Sequence, residues 1–393
     1  MKFKICIVSP FIPPNFAGAG KRALNHAKYI AQNGHEVSIL TTTKTNFSAK
    51  NLKVITIKMP KFHKKEGLWG VLFRFLYRPV LLIKMICVML KNKFHVVHCI
   101  SGGSWFSLLS ILSGKILGAK VVTETTLVGS DDPITIKKNY LGFIKFKLFK
   151  LSDNIVNISP MLYETCLQAN LKNEYCIIGN SVDISKFERV SNVRKNQLRT
   201  KLGLNKSSYI ILYVGVIRER KGVDYLINMF NTINNSIDNA YLVLVGPLSK
   251  DSENLSYSNK IKKSIVDYNL EDKVLLTGEV SNVDEWMKAS DVFVFASKRE
   301  GFGTVLVEAM STGLPVVTTN IPNITDYIIK NNFDGIIVSD DFDLAPNVIR
   351  LYKDKEFYDY VSNNAINTVL NRFSEKIIMG QYFDLYSNLM SKG

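Results

Sequence analysis

Short apolar runs closed by glycine, proline or small polar residues recur along the whole chain, separated by stretches of helical periodicity. Residues 2–9 read as a buried strand ended by Pro10, Pro13 and Pro14, and Ala17-Gly18-Ala19-Gly20 reads as a loop. Ala23, Ala27, Ile30 and Ala31 then fall at helical spacing, Asn33-Gly34 stops that helix, and residues 35–41 form the next strand. Residues 95–100, 120–126, 153–159 and 174–180 continue the series. After a polar stretch at 188–201, the best candidate linker, strands are predicted at 209–214, 241–246, 274–277, 292–295 and 316–318. Helices fit from Asp224, over 282–289 and from about Thr304. Buried strands alternating with helices make βαβ units, so each half of the chain is predicted to be α/β with a parallel sheet.

One unit carries more chemistry than the rest. The strand at 292–295 leads into Glu300-Gly301-Phe302-Gly303-Thr304-Val305-Leu306-Val307-Glu308, then into the strand at 316–318. A loop at the carboxyl end of a parallel strand feeds a helix N-terminus, whose free N–H groups suit an anionic oxygen. Glu300 stands at the loop mouth and Glu308 about one turn inside the helix, so both are placed to face one pocket. A second such turn follows the strand at 209–214. There Gly215 precedes Arg218, Glu219, Arg220, Lys221 and Gly222, a cationic cluster at a helix start that suits a diphosphate.

Gly18-Ala19-Gly20-Lys21-Arg22-Ala23 matches the GxGxxA dinucleotide pattern in form only. Three prolines separate it from its strand, and Thr41, Thr42 and Thr43 supply no acid for a ribose. A loop whose N–H groups face a substrate and a plain turn both remain open. Asp131 and Asp132, after the strand at 120–126, are general-base candidates or a helix cap, and the cap is favoured.

Length and composition narrow the class. At 393 residues two domains are expected, and 46% hydrophobic residues with 22 Phe and 17 Tyr fill two cores. Five scattered cysteines without a CxxC pair read as reduced thiols in a cytoplasmic protein. All five histidines precede residue 100, which excludes a histidine-rich metal centre in the second half. The proline-broken start suits a first strand better than a signal peptide, and no transmembrane segment is predicted.

The net charge of +16 lies entirely in the first half. Residues 1–190 hold 27 Lys and Arg against 10 Asp and Glu, and the remainder is nearly neutral. Residues 68–94, with Arg74, Arg78, Lys84, Lys91 and Lys93 among aromatic and aliphatic side chains, read as a basic amphipathic helix. Residues 137–150 read as a second, and Lys61, Lys64 and Lys65 precede the first. Such helices lie on anionic bilayers. Core helices with a solvated basic face are the alternative, and two in the basic half favour the membrane surface. Without a recognised binding module, nucleic acid is not an expected partner.

On these residues the chain resembles the retaining glycosyltransferases of family four, which have the GT-B fold of two facing Rossmann-like domains. The resemblance covers nearly the whole chain and is strongest over 209–338. Gly215 with Lys221-Gly222 is similar to the family's donor diphosphate turn, and Glu300 to Glu308 to its glutamate–seven–glutamate motif. Asn180-Ser181-Val182-Asp183 with Phe187 resembles its interdomain signature, and the terminal helices resemble those that return to the first domain. The resemblance implies an acceptor-side domain at 1–190, a donor-binding domain at 191–373 and a returning helix at 374–393. It implies Glu300 at the donor sugar near the anomeric centre and Phe302, Gly303 and Thr304, followed by Val305, at sugar and phosphate. Glu308 is implied at the ribose, and Lys221 with Arg218 or Arg220 at the leaving diphosphate. The base is implied near Gly278 and Val280, with Gly18 and Gly20 approaching donor phosphate or acceptor. Catalytic roles fall to Glu300 and Lys221, with no metal required.

This chain departs from the pattern in three places. Val216 stands where an arginine often follows the glycine, Ser181 where the hinge glycine stands, and Thr123-Glu124-Thr125-Thr126 supplies no histidine after the first domain's central strand. The expected reaction is transfer from a nucleotide sugar, UDP-sugar first, to a lipid-linked, polyprenyl-linked or oligosaccharide acceptor in cell-surface polysaccharide synthesis. The site would be at the inner face of the cytoplasmic membrane. An epimerase or nucleotide-sugar hydrolase of the same architecture, and a non-catalytic donor-binding subunit, are the alternatives.

Overall fold

Strands covered by helices on both faces have no polar side to show, and the apolar runs of this sequence do become parallel strands. The computed structural model describes residues 2–13, 18–45, 47, 49–60, 68–248, 252–340 and 343–392. Two units result: Met1–Asn180 together with Ile378–Gly393, and Ser181–Ile377. The expected boundary at 190 thus compares with a division at Asn180, and the last helix joins the first unit from Ile378.

The first unit runs β1 (Lys4–Val8), α1 (Gly18–Gln32), β2 (Glu36–Thr41), β3 (Leu52–Thr56), α2 (Leu68–Asn92), β4 (Val96–Cys99) and α3 (Trp105–Ile116). It continues with β5 (Lys120–Thr125), α4 (Pro133–Lys138), α5 (Gly142–Phe149), β6 (Asn154–Asn157), α6 (Pro160–Gln168) and β7 (Glu174–Ile177). The sheet order is β3-β2-β1-β4-β5-β6-β7, every pair parallel. Alternate residues of β1 serve opposite cores. Ile5 and Ile7 pack with α1 and with Ile378, Met379, Tyr382 and Tyr386 of the last helix. Cys6 and Val8 pack with Leu81, Met85 and Met89 of α2 and Phe106 of α3.

The second unit runs α7 (Asn192–Lys201), β8 (Tyr209–Val214), α8 (Val223–Asn234), β9 (Ala240–Val245), α9 (Ser252–Asp267), β10 (Val274–Gly278) and α10 (Val283–Ala289). Then follow β11 (Val292–Phe295), α11 (Thr304–Ser311), β12 (Val316–Thr319), α12 (Thr325–Ile328), β13 (Ile336–Val338), α13 (Leu344–Lys353) and α14 (Lys355–Arg372). The final helix is α15 (Glu375–Ser391). Its sheet is also parallel, in the order β10-β9-β8-β11-β12-β13. The order reverses beside β8: β9 and β10 build to one side, and the chain then returns to lay β11 on the other. That crevice is where open α/β sheets bind ligands.

Three expectations are corrected. The polar stretch 188–201 is no linker, because α7 packs on α10 with Leu198 buried. Its Arg199 is buried too, donating to the carbonyls of Ala289, Lys206 and Ser208 and pairing with Asp291. Gly18-Ala19-Gly20 is not a loop but the first turn of α1. Residues 137–150 are two helices rather than one. Leu141 takes a left-handed φ of 55°, and a Cβ on Gly142 would lie 2.1 Å from the Lys137 carbonyl oxygen, so the chain folds tightly back there. Lys61, Lys64 and Lys65 lie outside the described residues.

Candidate active site

The turn after β8 and the loop after β11 meet at the reversal of the second sheet. Gly222 makes the meeting possible. It sits at φ 62° in the left-handed region, and a Cβ there would stand 2.0 Å from the Ala296 carbonyl oxygen. The two backbones are tied on either side of it: Lys298 N–H donates to the Arg220 carbonyl (2.8 Å), and Ser297 Oγ lies 3.1 Å from the same oxygen.

This stitching delivers Lys221 to Glu300, with Nζ to Oε1 at 2.5 Å. Ser297 Oγ donates to that carboxylate oxygen at 2.7 Å, and the Arg220 guanidinium lies 3.6 Å away while donating to the Arg299 carbonyl at 2.8 Å. Glu300 is 8% exposed. Burial strips water from the Lys221 ammonium and lowers its pKa, Arg220 and Arg218 push the same way, and Glu300 opposes them. Three cations within four residues, Arg218, Arg220 and Lys221, outnumber the carboxylates of Glu219 and Glu300, so the turn keeps a net positive charge.

The loop then enters α11. Gly303, at φ 91°, precedes its first residue, and no side chain caps that end. Within that first turn Leu306 N–H donates back to the Gly303 carbonyl at 2.9 Å. The Phe302 ring is buried against Tyr327 and Phe373, so only its backbone belongs to the loop. Thr304, Val305 and Glu308 are half-buried on the first turns of the helix. Gly278 closes β10, its carbonyl accepting from Gly246 N–H at 3.0 Å, and Val280 follows half-buried. Gly215, Arg218, Gly278, Val280 and the 300–308 segment therefore follow the carboxyl ends of β8, β10 and β11 of one parallel sheet. Direct contact joins Arg220, Lys221 and Glu300. Ser297 and Gly246 escaped the sequence reading, because a lone serine or glycine in a polar loop carries no distinguishing signal.

In the first unit, Asp132 caps α4 by accepting from Thr135 N–H (2.9 Å) and also accepts from Gly129 N–H (2.7 Å). Asp131 accepts from the backbone of Thr126 and Leu127 and from the Thr126 hydroxyl. Both are structural carboxylates. Gly20 is fixed by packing, since a Cβ would stand 2.3 Å from the Phe11 carbonyl oxygen, whereas Gly18 faces open space.

Glu124 is the centre of a buried network. Arg22 of α1 pairs with it, His98 Nε2 lies 3.0 Å from Oε1, and the Tyr382 hydroxyl donates to Oε1 at 2.6 Å. Tyr386 Oη sits 2.7 Å from His98 Nδ1, and Arg22 also donates to Asn180 Oδ1. His26 stacks edge-on against Tyr382 at 5.0 Å. Burial alone would raise the Glu124 pKa, but Arg22, His98 and His26 hold it well below the usual carboxylate range. Histidines thus do gather at this strand, arriving from β4 and α1 rather than from the residues after it. Among the described residues no group of three His, Cys, Asp or Glu side chains is arranged to hold a metal ion, and no helix is long and apolar enough to cross a membrane.

Comparison with known proteins agrees with this architecture. Residues 194–368 match the family model for glycosyl transferases group 1, and residues 16–186 that for Glycosyltransferase Family 4. The N-acetyl-alpha-D-glucosaminyl L-malate synthase of Bacillus anthracis is 26% identical over 99% of this chain and 98% of its own length. The UDP-Gal:alpha-D-GlcNAc-diphosphoundecaprenol alpha-1,3-galactosyltransferase of Escherichia coli is 27% identical over 79% of each chain. A glycosyltransferase structure from Rickettsia africae superimposes with a TM-score of 0.80 at 20% identity, covering all of both chains.

Proposed function

With a GT-B fold and a glycosyltransferase family match on each half of the chain, we propose that this protein is a retaining, metal-independent glycosyltransferase using a UDP-sugar donor. Its acceptor is a glycolipid or polyprenyl-linked saccharide of cell-surface polysaccharide synthesis, met at the inner face of the cytoplasmic membrane. One observation carries the reading: the buried Lys221–Glu300 pair beneath Arg220, at the strand reversal of the second sheet.

The chemistry follows from where charge develops. As the acceptor oxygen bonds to the anomeric carbon, the bond from that carbon to the phosphate oxygen breaks and its electron pair leaves with the diphosphate. The acceptor's proton ends on the released diphosphate. Lys221, Arg220 and Arg218 are placed to stabilise that leaving charge, together with the N–H groups that open α11. Glu300, held by Lys221 and Ser297, orients the sugar. Glu308, one turn along α11, takes the ribose, and the base lies near Gly278 and Val280. Gly18 and Gly20 stand on the acceptor side. The diphosphoundecaprenol named for the E. coli relative supports the lipid-linked acceptor. The L-malate named for the B. anthracis relative makes a small carboxylic acid the second reading.

The test is a turnover assay with UDP-, GDP- and ADP-sugars against short-chain polyprenyl-diphosphate saccharides and L-malate, with and without EDTA. UDP-sugar transfer to the lipid-linked acceptor, with retained anomeric configuration and no effect of EDTA, is expected. Release of UDP with no glycosylated product, or turnover abolished by EDTA, would contradict the proposal.

A further inference from the structure

The outward side of α2 is apolar where a surface helix should be polar. Leu72, Leu76, Val80, Ile83 and Leu90 are exposed large hydrophobics, Leu76 at 63% and Ile83 at 60%, and exposed Cys87 falls in the same row. Their spacing of three and four residues places them in one stripe about 27 Å long. The opposite side of the same helix, through Leu81, Met85 and Met89, is already committed to the core. The helix is therefore apolar on two sides, although Pro79 and its interleaved basic residues keep it from being a membrane span.

A second exposed apolar patch stands on α5, with Phe143 at 68% and Ile144 beside it. The two helices flank α3, and Trp105 joins them: the Arg78 guanidinium of α2 lies 3.7 Å from its ring centroid and Lys145 Nζ of α5 lies 5.8 Å from it. Lys147 covers the Phe143 ring at 4.3 Å, and Lys84 donates to the Tyr77 hydroxyl at 2.9 Å. Each cation thus sits on an aromatic ring at the margin of the apolar patch. Between residues 68 and 150 there are three carboxylates, Glu124, Asp131 and Asp132, and all three are buried. Among its described residues this segment therefore shows no acid to solvent.

We propose that the outward stripe of α2, with the tip of α5, inserts into the interfacial layer of an anionic lipid bilayer. The apolar stripe enters the acyl boundary, and Arg78, Lys84, Lys145 and Lys147 reach the phosphate headgroups around it. A soluble acidic partner would be matched by the cations but would leave the apolar stripe in water. A second copy of this chain would bring another carboxylate-free surface against this one. The inference rests on the reading of a membrane-bound acceptor but is separable from it. It also differs from adhesion by charge alone, since apolar insertion survives salt.

Vesicle sedimentation with phosphatidylglycerol–phosphatidylcholine mixtures, at low and high salt, supplies the test. The wild type is expected to pellet in both, more strongly at low salt. Leu76→Glu with Ile83→Glu should lower the apparent partition roughly tenfold or more at either salt, while transfer to a water-soluble acceptor stays unchanged. Lys84→Gln with Lys147→Gln should weaken binding chiefly at low salt. An environment-sensitive fluorophore on Cys87 should shift to shorter wavelength with anionic vesicles, an independent readout that needs no substitution. Equal pelleting of the double glutamate variant, no shift at Cys87, or a wild-type dimer that this variant dissociates would overturn the inference. Vesicle binding without any transfer would instead count against the proposed reaction alone.

Discussion

Lys221 and Glu300 are 79 residues apart in sequence and share one hydrogen bond in the structure. Removing the lysine leaves a nearly buried carboxylate with Arg220 at 3.6 Å as its nearest remaining cation. Lys221→Ala is expected to lower kcat/KM by about 10²–10³-fold, the range for losing one preorganised stabiliser of developing charge, measured by steady-state transfer. Because burial and the neighbouring arginines lower the Lys221 pKa, activity should fall on the alkaline side below the ordinary lysine value near 10.5. The types and the turn were legible in the sequence. The contact was not, because pairing the turn after β8 with the loop after β11 requires knowing that those strands are neighbours. The network around Glu124 was hidden for the same reason. That glutamate marked the place of a missing histidine, yet His98 and His26 reach the same spot from other elements.

His26 gives a second prediction at this scale. Burial pushes its pKa down to about 3, with Arg22 and His98 acting in the same direction and Glu124 against them. Between the unfolded value near 6.5 and that folded value, the unfolded chain binds a proton that the folded chain refuses. Stability therefore falls as pH drops through this window, by about 1.4 kcal/mol per unit from this residue. The depressed pKa of Glu124 adds a loss only below the unfolded value of about 4.5. Between pH 6.5 and 5, His26→Leu should flatten the dependence of melting temperature on pH, and an unchanged slope would remove His26 from the account.

At the scale of elements, long apolar runs were read correctly because a strand buried on both faces leaves little choice of residue. The edges were not. β3 exposes Lys53 at the sheet's margin and only half-buries the three residues after it, and β13 has only three residues, so neither makes a run that stands out. α7 looked like a linker because it buries only Leu198 and Arg199, too few apolar positions to make a stripe. The turn before α8 was recognised for its cations, but its most constrained residue is Gly222. Gly222→Ala forces a Cβ toward the Ala296 carbonyl in a left-handed backbone, which should separate the turn from β11. We expect a lower melting temperature, of order 1–3 kcal/mol in stability, together with weakened UDP binding in calorimetry. Loss of stability with unaltered UDP affinity would show that the turn does not position the donor site.

At the scale of the molecule, each unit is its own doubly wound sheet, and the last helix belongs to the first. Tyr382 and Tyr386 are fully buried and tie α15 to Glu124 and His98, while Ile378, Met379 and Leu389 close that core. A chain ending at Ile377 should lose stability in its first unit yet keep its response to UDP, because the cationic turn lies wholly in the second. The basic excess of residues 1–190 was legible from composition, but its arrangement around an apolar stripe needed the fold to show it.

The central claim is that the strand reversal beside β8 binds the diphosphate of a nucleotide sugar through Lys221. A thermal-shift titration of the full chain with UDP, GDP, ADP and orthophosphate tests it directly, in wild type and in Lys221→Ala. UDP at about a hundredfold excess over its dissociation constant should raise wild-type stability by about 2.7 kcal/mol, and the variant should lose most of that gain. A wild type indifferent to every nucleotide, or a variant stabilised by UDP as much as the wild type, would contradict the account.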